Sequence, residues 1–260
     1  KNQRRNSREV DLNLNHLVLT EPETQALHTF FDRYRFEVTL DVHEYSPYSE
    51  SWEKWGYRKN SDVTIGATTN LNVPETIRKF SMEQYVPYFL AYVSKQNFST
   101  FHYCPGGPPV EAILRYSTFD VNDGRQSFGI QNTLSFIQEG MNGRDDSIEN
   151  IQHRALGQKE GMMALLTFVR DHNQEIKSLV GYERSEARKN RAREMVNLQA
   201  SHVPDGTVLK MPLLSLATGK DTVVSIRNWC PVVKSLLDVV KPRGYLIPRD
   251  CTLLKDWALR

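Results

Sequence analysis

Two ionisable groups stand where predicted β-strands end. In the segment FEVTLDVHEYSPYSE, apolar residues alternate with polar ones across residues 36–42, which predicts a half-buried strand. His43 and Glu44 follow directly, and a second predicted strand at 132–138 ends in Glu139. A neutral imidazole fixed at a strand end is a suitable zinc ligand, and a nearby carboxylate can act as general base on a metal-bound water.

The elements that must position these groups alternate along the chain. Apolar residues at helical spacing predict helices at 20–34, at 75–98 and from residue 156 to residue 180. Helices that alternate with strands predict an α/β fold with a mixed central sheet flanked by helices. From about residue 205 the sequence turns to short β-like runs, so we expect a division into 1–200 and a small β-rich C-terminal extension, 201–260.

Composition limits the classes of function. The 260 residues carry a formal net charge of +2, with 39% hydrophobic and 25% charged residues, which is typical of a globular protein. The charge balance predicts neither a nucleic-acid partner nor a membrane partner, and no apolar run is long enough to span a bilayer. The three cysteines contain no CxxC pair, which excludes a cysteine zinc cluster. The polar start at Lys1 suggests the middle of a longer polypeptide, so the N-terminus does not indicate the compartment.

Four segments carry a resemblance to a known family. They are REVDLNLNH, EPETQAL, TLDVHEYSP and, further on, SFGIQNTLSFIQEG. In this order they resemble the second half of the catalytic domain of the zinc carboxypeptidase family, carboxypeptidase A type, over about residues 4–170. The resemblance implies a zinc metallopeptidase that hydrolyses a peptide or amide bond through a zinc-activated water. It also implies a secreted or periplasmic protein, and it assigns residues 1–200 to a carboxypeptidase-like catalytic domain.

The resemblance implies roles for individual residues. His43 corresponds to a zinc ligand, and Glu139 to the general acid/base that activates the zinc-bound water. Asn13 corresponds to a substrate-binding residue. Arg4 corresponds to the arginine that polarises the scissile carbonyl, with Arg5 as the alternative if the alignment shifts by one residue.

Three further positions bear on the substrate. Tyr116 is similar in spacing to the family's mobile substrate-capping tyrosine. Arg125 is a candidate carboxylate clamp, with a structural salt bridge as the alternative. Leu14 stands where the family usually has an arginine that grips the terminal carboxylate of the substrate, so we expect weakened recognition of a free C-terminus.

The zinc site is expected to be incomplete in this chain. His43 is the one ligand that the resemblance supplies, and the remaining ligands are expected upstream, so the missing N-terminal half of the domain is a predicted partner. Glu44 is expected to orient His43. The alternatives are a catalytically inactive peptide- or glycan-binding module with the same fold, and another α/β hydrolase, which the lack of a Gly-x-Ser-x-Gly motif disfavours.

Overall fold

Helices and strands alternate through most of the computed structural model, which describes residues 4–143, 148–189 and 194–258. The helices are α1 (Pro22–Tyr34), α2 (Glu50–Lys54), α3 (Glu75–Phe80), α4 (Val86–Lys95), α5 (Gly124–Gly129), α6 (Ile151–Asp171), α7 (Asn173–Arg188) and α8 (Thr252–Ala258). The strands are β1 (Val38–Tyr45), β2 (Tyr57–Lys59), β3 (Val63–Ala67), β4 (Thr100–His102), β5 (Leu114–Arg115), β6 (Leu134–Met141), β7 (Met195–Val203), β8 (Leu209–Ser215), β9 (Lys220–Ile226), β10 (Trp229–Cys230) and β11 (Val232–Val240). The predicted mixture of helices and strands is confirmed.

The central sheet is mixed and has the strand order β1-β6-β3-β4. β1 runs parallel to β6, β6 runs antiparallel to β3, and β3 runs parallel to β4. The strands predicted at 36–42 and 132–138 are present, but each begins and ends about two or three residues later than predicted. His43 and Glu139 therefore lie inside strands, and not in the loops that follow them.

One face of this sheet is covered by α4 and α6. Apolar side chains of β3 and β6, such as Ile65 and Phe136, pack there against Phe89 of α4 and Phe168 of α6. Burial of each such side chain contributes about 1.5–3 kcal/mol, which makes this face the principal core. The buried residues of α4 recur at helical spacing, as the sequence pattern predicts.

The opposite face of the sheet carries α5 and the aromatic side of α1. Phe31 of α1 and Phe128 of α5 pack with ring centroids 4.5 Å apart. Asp123 caps α5, because its Oδ1 accepts a hydrogen bond of 2.7 Å from the Gln126 backbone N–H. The cap fixes the start of α5 beside β1, and the residue after next, Arg125, is fixed with it.

A second sheet joins the C-terminal strands to the first half of the chain. Its order is β2-β8-β9, and its buried side chains form a second core that includes Trp52, Tyr116, Met211 and Ile226. The predicted boundary at residue 200 falls inside β7, which pairs with β11. Residues on both sides of that boundary therefore share one core.

Within the described residues, no helix is long and apolar enough to cross a membrane. Cys104, Cys230 and Cys251 are free thiols.

Candidate active site

His43 and Glu139 are direct neighbours in the central sheet. They are register partners on the parallel strands β1 and β6, so their Cα atoms are about 4.8 Å apart. The side chains of register partners point to the same face of a sheet. Thr64 of β3 is the register partner of Glu139 on its other side, so His43, Glu139 and Thr64 form one row across the sheet. This row lies on the face opposite the helices α4 and α6.

Asp41 orients the imidazole of His43. The two residues are two positions apart on β1 and so point to the same face. His43 Nε2 donates to Asp41 Oδ1 at 2.8 Å, which leaves Nδ1 as the atom with the lone pair in the neutral ring. The hydrogen bond to Asp41 raises the pKa of His43, against burial, which lowers it.

Burial also changes the chemistry of Glu139. It raises the pKa of the Glu139 carboxyl group, while the charges of His43, Arg125 and Lys59 act in the opposite direction. A carboxylate with a raised pKa binds a proton more strongly, which suits a general base that must take a proton from water.

The sequence suggested that Glu44 orients His43, and the structure shows that it does not. It points to the opposite side of β1, where Arg154 of α6 binds both of its oxygens, through Nε at 2.9 Å and Nη2 at 2.6 Å. The ion pair fastens β1 to α6. The strand alternation explains the difference, because residues i and i+2 share a face and adjacent residues do not.

A first cavity, the Arg125 cavity, has a volume of about 410 Å³ and lies beside His43. Its polar lining includes Asn13, Asp41, His43 and Arg125, and aromatic side chains of α1 and α5 supply much of its apolar surface. Three of the residues singled out from the sequence, Asn13, His43 and Arg125, thus meet at one cavity.

Arg125 is buried with part of its guanidinium group unpaired. Its side chain is 1% exposed and Nη2 binds Asp123 Oδ2 at 2.9 Å and also the hydroxyl of Thr118. Among the described residues, Nε and Nη1 have no hydrogen-bond partner. The structural salt bridge that the sequence suggested is present, and the role of Arg125 as a carboxylate clamp stays a prediction.

A second cavity, the Lys59 cavity, has a volume of about 340 Å³ and includes Glu139 in its wall. It lies between the central sheet and the second sheet. Trp52, Phe101 and Met211 supply apolar surface, and Lys59 and Glu139 are the charged side chains among its described lining residues. The pair His43–Glu139 thus stands between two cavities.

The structure does not bring the other predicted residues to these cavities. Arg4 Nε binds Asp11 Oδ2 at 2.6 Å, and Arg5 Nη1 donates to the Glu9 carbonyl at 2.8 Å. Leu14 is exposed in a short 3-10 helix, Leu12–Leu14. The roles predicted for both arginines stay predictions, and each would require the guanidinium group to leave its present partner.

Tyr116 lies in the second core. It is 4% exposed, and its hydroxyl oxygen accepts a hydrogen bond of 3.0 Å from the Ala67 backbone N–H. Burial raises the pKa of this phenol. A substrate-capping movement of Tyr116 would require this packing to open.

Sequence reasoning missed Asp41 and Lys59. The period-two alternation of β1 contains the signal for Asp41, because it places residue 41 on the face of His43. No comparable signal marks Lys59, since β2 has three residues and its inward face is defined by pairing with β8, far along the chain.

The described residues supply too few ligands for a zinc ion, although His43 is a ligand of a suitable type. They contain no group of three or more His, Cys, Asp or Glu side chains that would hold a metal ion. His43 has a suitable donor atom and an orienting carboxylate, but a zinc site needs at least three protein ligands. The described part of the chain therefore does not fit a complete zinc centre.

Comparison with known proteins does not assign the chain to a family. No protein-family model matches it, and no curated protein and no solved structure was found that matches it. The resemblance to zinc carboxypeptidases rests on the segments quoted above.

Proposed function

We propose that this chain contributes a general base, Glu139, and one metal-binding histidine, His43, to a carboxypeptidase-like zinc hydrolase of peptide or amide bonds. The observation that carries the proposal is the register of β1 with β6, which sets the two side chains side by side on one face of the sheet. Cavities on either side leave room for a substrate across them.

Glu139 has the properties of a base for hydrolysis. Burial raises the pKa of its carboxyl group, and in its ionised form it accepts a proton from water. Among the described residues, no hydrogen bond or ion pair occupies its carboxylate oxygens, so they remain available to a water molecule. His43 and Arg125 carry or can carry positive charge nearby, which favours the ionised form at rest.

Arg125 and Asn13 are proposed to hold the substrate. Nη1 of Arg125 has no partner among the described residues, and it can donate one charge-assisted hydrogen bond to a carboxylate oxygen of the substrate. Asn13 lines the same cavity, where its amide is a candidate for one further hydrogen bond. In this arrangement Arg125 takes the role of the family's carboxylate-binding arginine, whose position is occupied by Leu14 in this chain.

Among the described residues, His43 is the one zinc ligand in this proposal. A bound zinc ion would supply Lewis-acid polarisation of the scissile carbonyl. Because the described residues do not complete its coordination, the further ligands would have to come from outside them.

Two measurements test the proposed function. Where residues outside the described ones complete the coordination, metal analysis by mass spectrometry is expected to find about one zinc per chain in the wild-type protein. The zinc is expected to be lost in His43→Ala, and Asp41→Asn is expected to bind it roughly 10–100-fold more weakly. Glu139→Gln is expected to lower peptide hydrolysis by about a hundredfold or more, with an unchanged melting temperature. Absence of zinc after soaking, together with no hydrolysis, would contradict the hydrolase.

A second candidate is a non-catalytic binding module for peptides or glycans. The lack of a three-ligand metal group among the described residues favours it. The module would use the same two cavities without turnover. Binding of a peptide that is equally tight in wild type and in His43→Ala, without zinc and without cleavage, would identify this alternative.

A further inference from the structure

A lysine occupies a position in the second sheet where a hydrophobic residue is the normal choice. Lys59 is the register partner of Leu213 on β8, and both point toward the second core. Leu213 is 1% exposed, whereas the neighbour Arg58 points outward to Glu53. Lysines are seldom placed at such inward positions, because removal of the ammonium group from water costs free energy.

The contacts of Lys59 leave part of its ammonium group free. Nζ donates to the carbonyl oxygen of Cys104 at 2.7 Å and lies 5.1 Å from the ring centroid of Trp52. An ammonium group has three donors, so two remain for other partners. Among the described residues, no carboxylate lies within 4.0 Å of Nζ, and Glu139 acts on it only as a more distant charge. Burial lowers the pKa of Lys59.

The cavity into which Lys59 points combines apolar walls with hydroxyl-bearing side chains and one lysine. At about 340 Å³ it lies at the small end of the range of ligand pockets. Trp52, Phe101 and Met211 offer apolar contact to a short hydrocarbon stem, and Lys59 offers hydrogen bonds and charge to a group at its end. A bare inorganic anion would leave the apolar walls uncovered.

We propose that the Lys59 cavity is a subsite that binds the carboxylate-bearing side chain of a glutamate residue, with Lys59 as the residue that determines this preference. The assignment rests on the proposed hydrolase, for which it names the substrate class: a peptide or amide with an acidic side chain next to the bond that Glu139 would act on. The main-chain carboxylate would be held separately by Arg125, on the other side of the His43–Glu139 pair.

The test compares two amino acids that differ in one charge. L-glutamate and L-glutamine have the same shape and the same α-carboxylate, and neither contains a peptide bond, so calorimetry reads binding without turnover. A hydrogen bond from an ammonium group to a carboxylate is stronger than one to a neutral amide, so the wild-type protein is expected to bind L-glutamate at least about tenfold more tightly than L-glutamine. Lys59→Met is expected to lose this preference.

Lys210→Met is the matched control. Lys210 lies on β8 in the same sheet, but it is exposed and donates to Ser225 on the surface, so this variant is expected to keep the preference. Equal affinity for the two amino acids in the wild-type protein, no binding of either, or a preference that survives in Lys59→Met would overturn the proposal.

A second measurement covers the case in which Lys59→Met does not fold. Acylation of Lys59 by an amine-reactive reagent, read by peptide mass in the wild-type protein, is expected to be slowed by L-glutamate and not by L-glutamine. Equal labelling rates with the two amino acids would overturn the subsite. The hydrolase is judged separately by zinc content and by Glu139→Gln, so a protein that prefers L-glutamate but binds no zinc would retain the subsite and lose the proposed activity.

Discussion

Burial sets the charge of several single residues around the candidate site, and the pair His16–His28 shows the effect most clearly. His16 Nδ1 and His28 Nε2 are 3.0 Å apart, and each side chain is 8% exposed. His28 also stacks on Phe128 with ring centroids 4.8 Å apart. Burial lowers the pKa of both rings, and with the charge of His16 added it lowers the pKa of His28 to about 4. The pair is therefore neutral at pH 7.

This pair predicts a loss of stability in acid. A histidine whose folded pKa lies below its unfolded value of 6.5 stabilises the fold above that value, and the contribution is lost as the pH falls through the folded pKa. Discounted for the solvent that reaches the pair, the loss attributable to His28 is on the order of 2 kcal/mol between pH 7 and pH 4. Urea unfolding of His28→Gln is expected to show a correspondingly weaker pH dependence over this interval.

His172→Gln is the control for this prediction, because His172 lies on the surface between α6 and α7. Its pH dependence of unfolding is expected to follow that of the wild-type protein. Any contribution of His43 and Glu139 to the pH dependence of unfolding is the same in all three proteins, since both variants retain these residues. Parallel curves for His28→Gln and the wild-type protein would contradict the assignment of the acid sensitivity to this pair.

At the scale of elements, α6 and the strands β1 and β6 are joined by two glutamines, the buried Gln138 and the half-buried Gln158. Gln138 of β6 is 0% exposed, and its Nε2 donates to the Gln158 carbonyl of α6 at 2.9 Å. Gln158 Nε2 in turn donates to the backbone carbonyl of His43 at 2.5 Å. Helix α6 therefore fixes the backbone of the candidate zinc ligand from the face opposite its side chain.

Two glycines in neighbouring helices predict opposite effects of the same substitution. A Cβ at Gly161 of α6 would overlap the amide group of Gln138, whereas nothing lies within 4 Å of a Cβ at Gly181 of α7. Gly161→Ala is expected to lower the free energy of unfolding by about 1–3 kcal/mol through overpacking. Gly181→Ala is expected to raise it by about 0.5–1 kcal/mol, because alanine loses less backbone entropy in a helix. Chemical denaturation of both variants checks the pair, and equal effects would show that α6 does not rest tightly on Gln138.

At the scale of the whole molecule, the second core crosses the boundary that the sequence suggested. Met211, Leu213 and Ile226 on the C-terminal side pack with Trp52 and Leu114 on the other. A chain that ends at residue 200 lacks β8 and β9, so this core is uncovered. Such a chain is therefore expected to melt without a cooperative transition. Differential scanning calorimetry makes the comparison.

A chain that ends at residue 243 is the control, since it keeps β7 to β11 and removes α8 and the exposed residues before it. It is expected to melt cooperatively, close to the full chain. A cooperative transition at an unchanged temperature for the chain that ends at residue 200 would show instead that the first 200 residues fold as a separate domain.

The sequence predicts the elements of this fold better than their partners. The alternation through residues 36–42 predicts β1, and helical spacing predicts α1, because these patterns are local. The single helix predicted from residue 156 to residue 180 is divided at His172 into α6 and α7. The pairing of His43 with Glu139 depends on which strands become neighbours, and no local pattern contains that information. For the same reason Arg125 gave two readings from sequence, and only its packing reveals that part of its guanidinium group is paired and part is not.

The parallel pairing of β1 with β6 also determines when the candidate site comes into existence. Register partners on these strands, such as Thr39 and Ser135, are 96 residues apart in the chain. Contacts between residues so distant form late in folding, because the entropy of closing the intervening loop is lost before the contact is gained. During synthesis, His43 leaves the ribosome well before Glu139 does. A nascent chain therefore contains His43 before Glu139 is beside it. The proposed hydrolysis cannot occur until β6 has been inserted between β1 and β3.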